Sequence, residues 1–253
     1  MDINDKNIVI TGAARGLGKA IALLLAKRKA NITLLDLDSE DLHNTARDIE
    51  KLGVKALPIP TDVTSETQVV ASIKKASDTL GAIHGLINNA GILQDGLLVK
   101  SKEGKIISTL SYDQWQSVIN VNLTGVFLCG REVAANMIEL GTKGVIINIT
   151  SISRAGNFGQ SNYAAAKAGV VALTTTWSKE LARYGIRSTA IAPGMIATEM
   201  TGSMKPEALD KMNAAVPAGR MGTPEEIAKT AAFILENDYF NGRVLELDGG
   251  LRL

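Results

Sequence analysis

Short apolar segments alternate with longer amphipathic segments along the chain, and this alternation constrains the fold more than any other feature. The apolar segments lack a strict polar–apolar repeat, which is typical of strands buried on both faces of a parallel sheet. Seven segments are predicted to be strands: 7–11, 31–36, 54–59, 84–89, 145–150, 187–192 and 243–248. Helical patterns between them predict an α/β fold, in which a doubly wound parallel sheet carries helices on both faces.

Two stretches interrupt this rhythm within what we expect to be a single domain spanning residues 1–253. Residues 94–111 contain two short β-prone pieces around "KEG", which predict a small hairpin inserted after the fourth strand. Residues 198–217 are rich in Met and follow a Pro-Gly pair, as expected of a mobile lid over an apolar ligand. Either stretch could instead be a surface excursion without a role in binding.

Composition and charge exclude several classes of protein. A 253-residue chain with 45% hydrophobic and 21% charged residues can build a sizeable core, and a net charge of +1 favours neither nucleic-acid nor membrane binding. The one cysteine, Cys129, excludes an intramolecular disulfide and fits a reducing cytoplasm. Because the two histidines, His43 and His84, lie far apart in dissimilar contexts, we expect no metal site.

A glycine-rich turn, "TGAARGLG" at 11–18, joins the first predicted strand to the first predicted helix. Its glycines allow a tight turn and a close approach to a pyrophosphate, whose charge would face the free N–H groups at the helix start. This context predicts a Rossmann-type dinucleotide site. The residues of the turn expected to contact the cofactor are Gly12, Arg15, Gly16, Leu17 and Gly18.

Asp36, at the end of the second predicted strand, bears on the choice between NAD(H) and NADP(H). A carboxylate there can accept hydrogen bonds from a ribose 2′-hydroxyl and would repel a 2′-phosphate. Arg15 could pair with a 2′-phosphate, which leaves NADP(H) open. Asp36 could also be a turn or helix-capping residue. Its position at the point of discrimination favours NAD(H).

Tyr163 and Lys167 occur four residues apart in "GQSNYAAAKAG", at the start of a predicted helix. On composition alone such a pair arises roughly one time in four, and both residues could be ordinary surface or packing residues. On a helix, however, they share one face, and Ser151 ends the preceding predicted strand. An ammonium beside a phenol, like an oxidised nicotinamide, lowers the phenol pKa. The three residues therefore suit acid–base catalysis on a carbonyl–alcohol pair, with Ser151 bonding the substrate oxygen.

Five motifs occur together in the order typical of one family: "TGAARGLG", "INNAG", "NVNLTGVF", Ser151 with Tyr163-Ala-Ala-Ala-Lys167, and "PGMIAT". The chain resembles the short-chain dehydrogenase/reductases over essentially its whole length. Within the family, "NNAGI", "GQSNYAAAKAG", "PGMIATEMT" and "GTPEEIA" are most similar to the 3-oxoacyl-(acyl-carrier-protein) reductases.

The resemblance implies further functional residues and an assembly. It implies that Asn122 is a fourth catalytic residue, which holds a water in a proton relay through Lys167. Further expected cofactor contacts are Asp62, Val63, Asn89, Ala90, Gly91, Pro193, Gly194, Ile196 and Thr198, together with Tyr163 and Lys167. It also implies a homotetramer, built through the two long central helices and the last strand.

The chain departs from the family pattern in three places. The Ser–Tyr spacing is one residue shorter than usual, so Thr150 and Ser153 remain less favoured candidates for the serine role. The 94–111 insertion is absent from typical acyl-carrier reductases. The basic stretch before the fifth strand is reduced to Lys143 in "ELGTKG", and together with Asp36 this leaves docking of a carrier protein open.

The residues and the resemblance together predict a cytoplasmic NAD(P)(H)-dependent oxidoreductase that interconverts a ketone and a secondary alcohol. A 3-oxoacyl thioester, linked to acyl carrier protein or coenzyme A, is the favoured substrate. Another alcohol, ketone or quinone is the first alternative. A protein that senses NAD(H) without turnover is the second, although such a protein has no need of the four catalytic residues.

Overall fold

The computed structural model describes residues 1–197 and 206–253. The strands of the described chain are β1 (Asn7–Thr11), β2 (Asn31–Asp36), β3 (Ala56–Pro60), β4 (Ile83–Asn88), β5 (Val99–Lys102), β6 (Lys105–Thr109), β7 (Gly144–Ile149), β8 (Ile186–Pro193) and β9 (Val244–Leu247). Seven of them form one parallel sheet in the order β3-β2-β1-β4-β7-β8-β9. The chain order reverses between β1 and β4, so the edge where these two strands end is the expected place for a ligand.

Helices cover both faces of this sheet. The helices of the described chain are α1 (Gly16–Lys27), α2 (Glu40–Glu50), α3 (Glu66–Leu80), α4 (Tyr112–Ile119), α5 (Gly125–Glu139), α6 (Ser161–Glu180), α7 (Pro206–Ala215) and α8 (Pro224–Glu236). Buried side chains of α1, α2 and α8 form a core on one face. Those of α3, α5 and α6 form a second core on the other face. The predicted doubly wound α/β fold is confirmed, and the seven sheet strands lie within two residues of their predicted bounds.

The segment predicted to form a hairpin contains the antiparallel strands β5 and β6. They are joined by Glu103 and Gly104, whose φ angles of 52° and 74° are those of the tight turns that match strand twist. Both strands are exposed along their length, and Val99, Ile106 and Ile107 are at least half exposed. The hairpin therefore stands out from the domain at the carboxyl edge of β4.

A π-helical turn at Asn120–Thr124 joins α4 to α5, where the sequence pattern predicts one long helix over 112–140. Such turns insert an extra residue into the helix and occur often at functional sites. Asn122 lies in the turn and is fully buried. Its carboxamide bonds to the backbone of Ile92 outside the helix, which offsets the poorer helical hydrogen bonding.

The segment predicted to be a lid, 198–217, falls partly outside the described residues. Residues 198–205, which include Thr198, are not described. The described remainder begins with α7.

None of the described helices is long and apolar enough to cross a membrane. In the described ranges, no three His, Cys, Asp or Glu side chains lie close enough together to hold a metal ion.

Candidate active site

A cleft of about 410 Å³ opens at the carboxyl edge of the sheet, where β1, β2, β3 and β4 end. Nine of the predicted cofactor residues line it: Gly12, Arg15, Leu17, Asp36, Asp62, Val63, Asn89, Ala90 and Gly91. The start of α1 points into the same region, and its free N–H groups make it favourable for an anion. The cleft therefore has the place and lining expected for a dinucleotide.

Gly12 shows why the turn after β1 needs glycine. Its φ is 64°, and a Cβ there would lie 2.8 Å from Ala90 Cα and 2.9 Å from Asn89 Nδ2. Any larger residue would push the turn away from the end of β4. The exclusion of a side chain keeps the backbone at the floor of the cleft, where it can approach a pyrophosphate.

Asn89 and Thr11 fasten this turn to the segment after β4. The Asn89 Nδ2 donates to the carbonyls of Thr11, at 3.1 Å, and Gly12, at 2.9 Å. In return, the Thr11 hydroxyl accepts from the backbone N–H groups of Asn89 and Ala90, both at 3.0 Å. Four hydrogen bonds thus fix the width of the cleft between the two strand ends.

Asp36 is held by backbone donors at one end of the cleft. Its two carboxylate oxygens accept from the N–H groups of Ala14 and Leu37, each at 2.8 Å. Asp36 therefore also stabilises the turns that follow β1 and β2. Each oxygen keeps a second lone pair for a ligand hydroxyl. Arg15 is exposed and lines the same cleft.

Several predicted residues lie outside the lining of this cleft. Gly16 and Gly18 shape the turn, since Gly18 packs against the Gly12 carbonyl. Pro193 ends β8, Gly194 and Ile196 follow it, and Ile196 instead lines a separate 120 Å³ pocket. Tyr163 and Lys167 also do not line it, although Lys167 Nζ lies 3.8 Å from where a Gly91 Cβ would be.

Five lining residues were not predicted: Leu35, Leu37, Thr61, Ile92 and Val121. Leu37, Thr61 and Ile92 lie just beyond the carboxyl ends of β2, β3 and β4. Ligands of open α/β sheets bind beyond those ends, so the predicted strands already carried the signal that would have identified these three residues.

Lys167 is the most deeply buried charged group at the site, with an exposed fraction of 4%. Its Nζ donates to the carbonyl of Ile149 at the end of β7, at 2.8 Å, and lies 5.6 Å from the centroid of the Tyr163 ring. Burial lowers the pKa of Lys167 to about 8. The amine is therefore anchored next to the phenol and titrates close to neutral pH.

Tyr163 lies in the first turn of α6, beside Ser151. Burial raises the pKa of the Tyr163 phenol, while hydrogen bonding to Ser151 lowers it and the charge of Asp95 raises it. Lys167 and an oxidised nicotinamide are both expected to lower this pKa, whereas burial, the largest effect in the structure, raises it. The loss of hydration around the phenol outweighs the opposing interaction.

Ser151 is better placed for the serine role than its two alternatives. The Thr150 hydroxyl donates to the carbonyl of Lys167 at 2.8 Å and is thereby committed to the start of α6. The backbone N–H of Ser153 donates to the Ser151 hydroxyl at 3.1 Å, which orients that hydroxyl. Among the three, Ser151 is the side chain that interacts with the Tyr163 phenol.

Asn122 is brought to the same place by the π-helical turn. Its Oδ1 accepts from Ile92 N at 2.8 Å, and its Nδ2 donates to Ile92 O at 3.0 Å. Asn122 Oδ1 lies 3.4 Å from where a Cβ on Gly91 would be, so Gly91 leaves open the space between Asn122 and Lys167. The carboxamide keeps one donor and one acceptor for a relay.

The arrangement can move a proton at the edge of a nucleotide-sized cleft. A phenol, a hydroxyl and a buried amine converge at the end of β7 and the start of α6, next to the cleft between β1 and β4. The phenol of Tyr163 can protonate a carbonyl oxygen, and its phenolate can deprotonate an alcohol.

Over nearly its whole length, the chain is similar to one protein family and to named proteins from several bacteria. A family model described as enoyl-(acyl carrier protein) reductase matches residues 12–252. The 3-oxoacyl-[acyl-carrier-protein] reductase FabG of Thermotoga maritima is 41% identical over 254 residues, covering 99% of both chains. The FabG of Staphylococcus epidermidis is 38% identical over 251 residues, covering 98% of this chain and 99% of the relative.

Among solved structures, a putative gluconate dehydrogenase from Agrobacterium tumefaciens matches with a TM-score of 0.90 and 33% identity. The match covers 99% of this chain and 97% of the other. Proteins similar to this chain are thus named both as 3-oxoacyl-[acyl-carrier-protein] reductases and as a putative gluconate dehydrogenase.

Replacing Lys167 by Met should change how stability depends on pH. The folded chain holds this amine at a pKa of about 8, below its usual 10.5, so the unfolded chain binds more protons between these values. The wild type should therefore gain up to about 3 kcal/mol of unfolding free energy over Lys167→Met as pH rises from 8 to 10.5. Denaturant unfolding at both pH values measures the gain. Lys75→Met, on the exposed face of α3, is the matched control, and an equal pH dependence in both variants would contradict the burial of the amine.

Proposed function

Because the chain belongs to the short-chain dehydrogenase/reductase family, we propose that it reduces the ketone of a 3-oxoacyl thioester to a secondary alcohol with NAD(P)H. The curated relatives named 3-oxoacyl-[acyl-carrier-protein] reductase support this substrate. The observation that carries the proposal is the buried Lys167 amine, bonded to Ile149 and 5.6 Å from the Tyr163 ring. A chain that only bound a nucleotide would gain nothing from burying an amine there.

The residues around the cleft fit a nicotinamide dinucleotide. A Cβ at Gly12 would fill the floor of the cleft, and the α1 N-terminus faces the same space. The turn 12–18 would hold the pyrophosphate, Asp36 the adenosine ribose, and Asp62 and Val63 the adenine, with Asn89 and Gly91 further along the cleft. Pro193, Gly194, Ile196 and Thr198 would contact the nicotinamide, which supplies or accepts a hydride when bound.

In the proposed mechanism, Tyr163 gives its phenolic proton to the carbonyl oxygen as the carbonyl carbon is reduced. Its raised pKa keeps the phenol protonated, which suits an acid in the reductive direction. Ser151 bonds the substrate oxygen and orients it. Lys167 and Asn122 border the space beside Gly91, and through them a proton can be returned to the Tyr163 phenolate.

Asp36 favours NAD(H) over NADP(H) in this proposal. Its carboxylate is fixed at the cleft by Ala14 and Leu37, so it cannot swing away from a 2′-phosphate without breaking two hydrogen bonds. Arg15 is exposed and can reach a phosphate, which keeps NADP(H) as the second cofactor.

The proposed substrate is a 3-oxoacyl group linked as a thioester to acyl carrier protein or to coenzyme A. Segment 198–217 is the proposed lid over the substrate site. Another ketone, quinone or secondary alcohol is the alternative, which the similarity to a putative gluconate dehydrogenase favours. Ile92, which lines the cleft, lies on the segment that leads from β4 to the exposed hairpin, so the hairpin and the lid would determine which substrate enters.

A homotetramer in the cytoplasm completes the proposal. The outer faces of α5 and α6 enclose a groove of about 330 Å³ that includes Phe127, Ile138 and Trp177. Phe127 and Ile138 are large apolar side chains exposed at 41% and 38%, as expected of a surface that pairs with another copy.

Replacing Tyr163 by Phe removes the proposed acid and little else. General acid catalysis contributes about 10²–10⁴-fold, so kcat for 3-oxoacyl thioester reduction should fall by at least about 100-fold. The dissociation constant of NADH should stay within about twofold, since the hydroxyl is not part of the cleft lining. Steady-state kinetics on 3-oxoacyl thioesters, a quinone and free ketones measures the loss. Tyr112→Phe, at an exposed tyrosine, is the control, and near-wild-type turnover of Tyr163→Phe would remove the assignment.

Replacing Asp36 by Ala should shift the nucleotide preference toward NADPH. The change removes repulsion of the 2′-phosphate and a hydrogen bond to the ribose, so the ratio of the NADPH to NADH dissociation constants should fall about tenfold or more. Nucleotide fluorescence titration measures both constants. Asp36→Asn, which keeps an acceptor for Ala14 or Leu37, separates the charge from the loss of backbone bonding. An unchanged ratio in both variants would show that Asp36 does not discriminate.

A further inference from the structure

The root of the hairpin, residues 94–96, is hydrogen-bonded to the residues that directly precede Tyr163. Gly96 N donates to Gly159 O at 2.8 Å, and Gly96 pairs with Gln160 as an isolated parallel bridge. Asn162 Nδ2 donates to Gln94 O at 3.0 Å. These bonds fix where α6 begins relative to the segment that leaves β4.

Asp95 lies at the centre of this root and makes its side-chain contact to the same loop. Its Oδ2 accepts from Gln160 Nε2 at 2.9 Å. Gln160 is itself oriented, because its Oε1 accepts from Asn157 Nδ2 at 2.9 Å. The amide of Gln160 thus has one defined orientation and presents its N–H to Asp95.

The carboxylate is thereby held against Gln160, three residues before Tyr163, although Asp95 is itself exposed. Its negative charge raises the pKa of Tyr163, in the same direction as burial. In the described part of the chain, α6 also carries Lys167 and, at its far end, Lys179 and Glu180. Asp113 lies on α4, which packs against α6, and Arg154 follows Ser151. Lys167 donates to Ile149 O, and Arg154 is paired with Glu246.

We propose that Asp95 is a positioning residue for the reaction, which fixes the loop before Tyr163 and sets a negative charge that favours the protonated, proton-donating phenol. This inference rests on the proposed function. It assigns to the hairpin root a role in setting the pH range in which Tyr163 can donate or accept a proton. Reduction needs the phenol and oxidation needs the phenolate, so a nearby carboxylate moves the rising limb of the pH profile for oxidation to higher pH.

Asp95→Asn tests the charge, because the amide oxygen can still accept from Gln160 while the negative charge is lost. Ultraviolet difference titration of the phenol, with Tyr163→Phe subtracted to isolate Tyr163, should place its ionisation at lower pH than in the wild type. At a fixed pH on the rising limb of the oxidation profile, kcat for alcohol oxidation should rise about threefold. KM for the nucleotide should not change, since Asp95 lies outside the cleft lining.

Two further variants separate charge from structure. Glu103→Gln removes one negative charge from the exposed tip of the same hairpin and should leave the titration of Tyr163 unmoved. Gln160→Ala keeps the Asp95 carboxylate but removes its hydrogen bond to the loop before Tyr163. We expect kcat to fall, while the pH at which Tyr163 ionises shifts less than in Asp95→Asn. If Asp95→Asn does not fold, Asp95→Ser serves as the charge-free variant.

The outcomes for Asp95 and for the proposed function are distinguishable. The titration needs no substrate, so a shift in Asp95→Asn supports the role of Asp95 even if no thioester is reduced by the wild type. A titration that is the same in the wild type and Asp95→Asn would overturn the inference even if the wild type is an active reductase. A shift of equal size in Glu103→Gln would also overturn it.

Discussion

The hydrogen bonds between Asn89 and the turn after β1 determine the geometry on which the rest of the site depends. β1 and β4 are neighbours in the sheet, but their continuing segments diverge, and a cleft exists only if the turn and the β4 segment stay at a fixed separation. Asn89 and Thr11 provide that separation with four hydrogen bonds. Gly12 allows it, because a Cβ there would collide with Ala90. The nucleotide end of the site is thus built from backbone held by two polar side chains.

The reactive end is built by a different principle, since its central group is a buried amine. Burying Lys167 costs stability at neutral pH, and the cost is reduced by its bond to the Ile149 carbonyl. A buried amine with a lowered pKa at the edge of a cleft is a candidate functional group. Its Nζ lies 5.6 Å from the ring centroid of Tyr163, whose pKa is raised by burial and by Asp95. The two ends meet at Gly91, which lines the cleft and leaves space beside the amine.

The sequence predicts those features that depend on local patterns. The sheet strands, the glycine turn and the Tyr163–Lys167 spacing are local, and the structure has them near the predicted positions. The π-helical turn at 120–124 depends on Asn122 bonding to Ile92 across 30 positions, and no helical period encodes it. The Asp95–Gln160 hydrogen bond joins residues 65 positions apart, so no local pattern in the sequence predicts it either. Burial, which raises the pKa of Tyr163, is a property of packing and is not visible in the sequence, whereas the Lys167 spacing is.

The central claim is that this chain directs a hydride to a carbonyl carbon while Tyr163 supplies the proton. The most direct measurement follows deuterium from NADH labelled at C4 of the nicotinamide, stereospecifically in separate samples, into the product of a 3-oxoacyl thioester. Mass spectrometry should find one deuterium on the new carbinol carbon from one of the two labelled forms, with none in Tyr163→Phe over the same time. Oxidation of the labelled NADH without deuterium on that carbon, or no reduction of any carbonyl substrate, would contradict the claim.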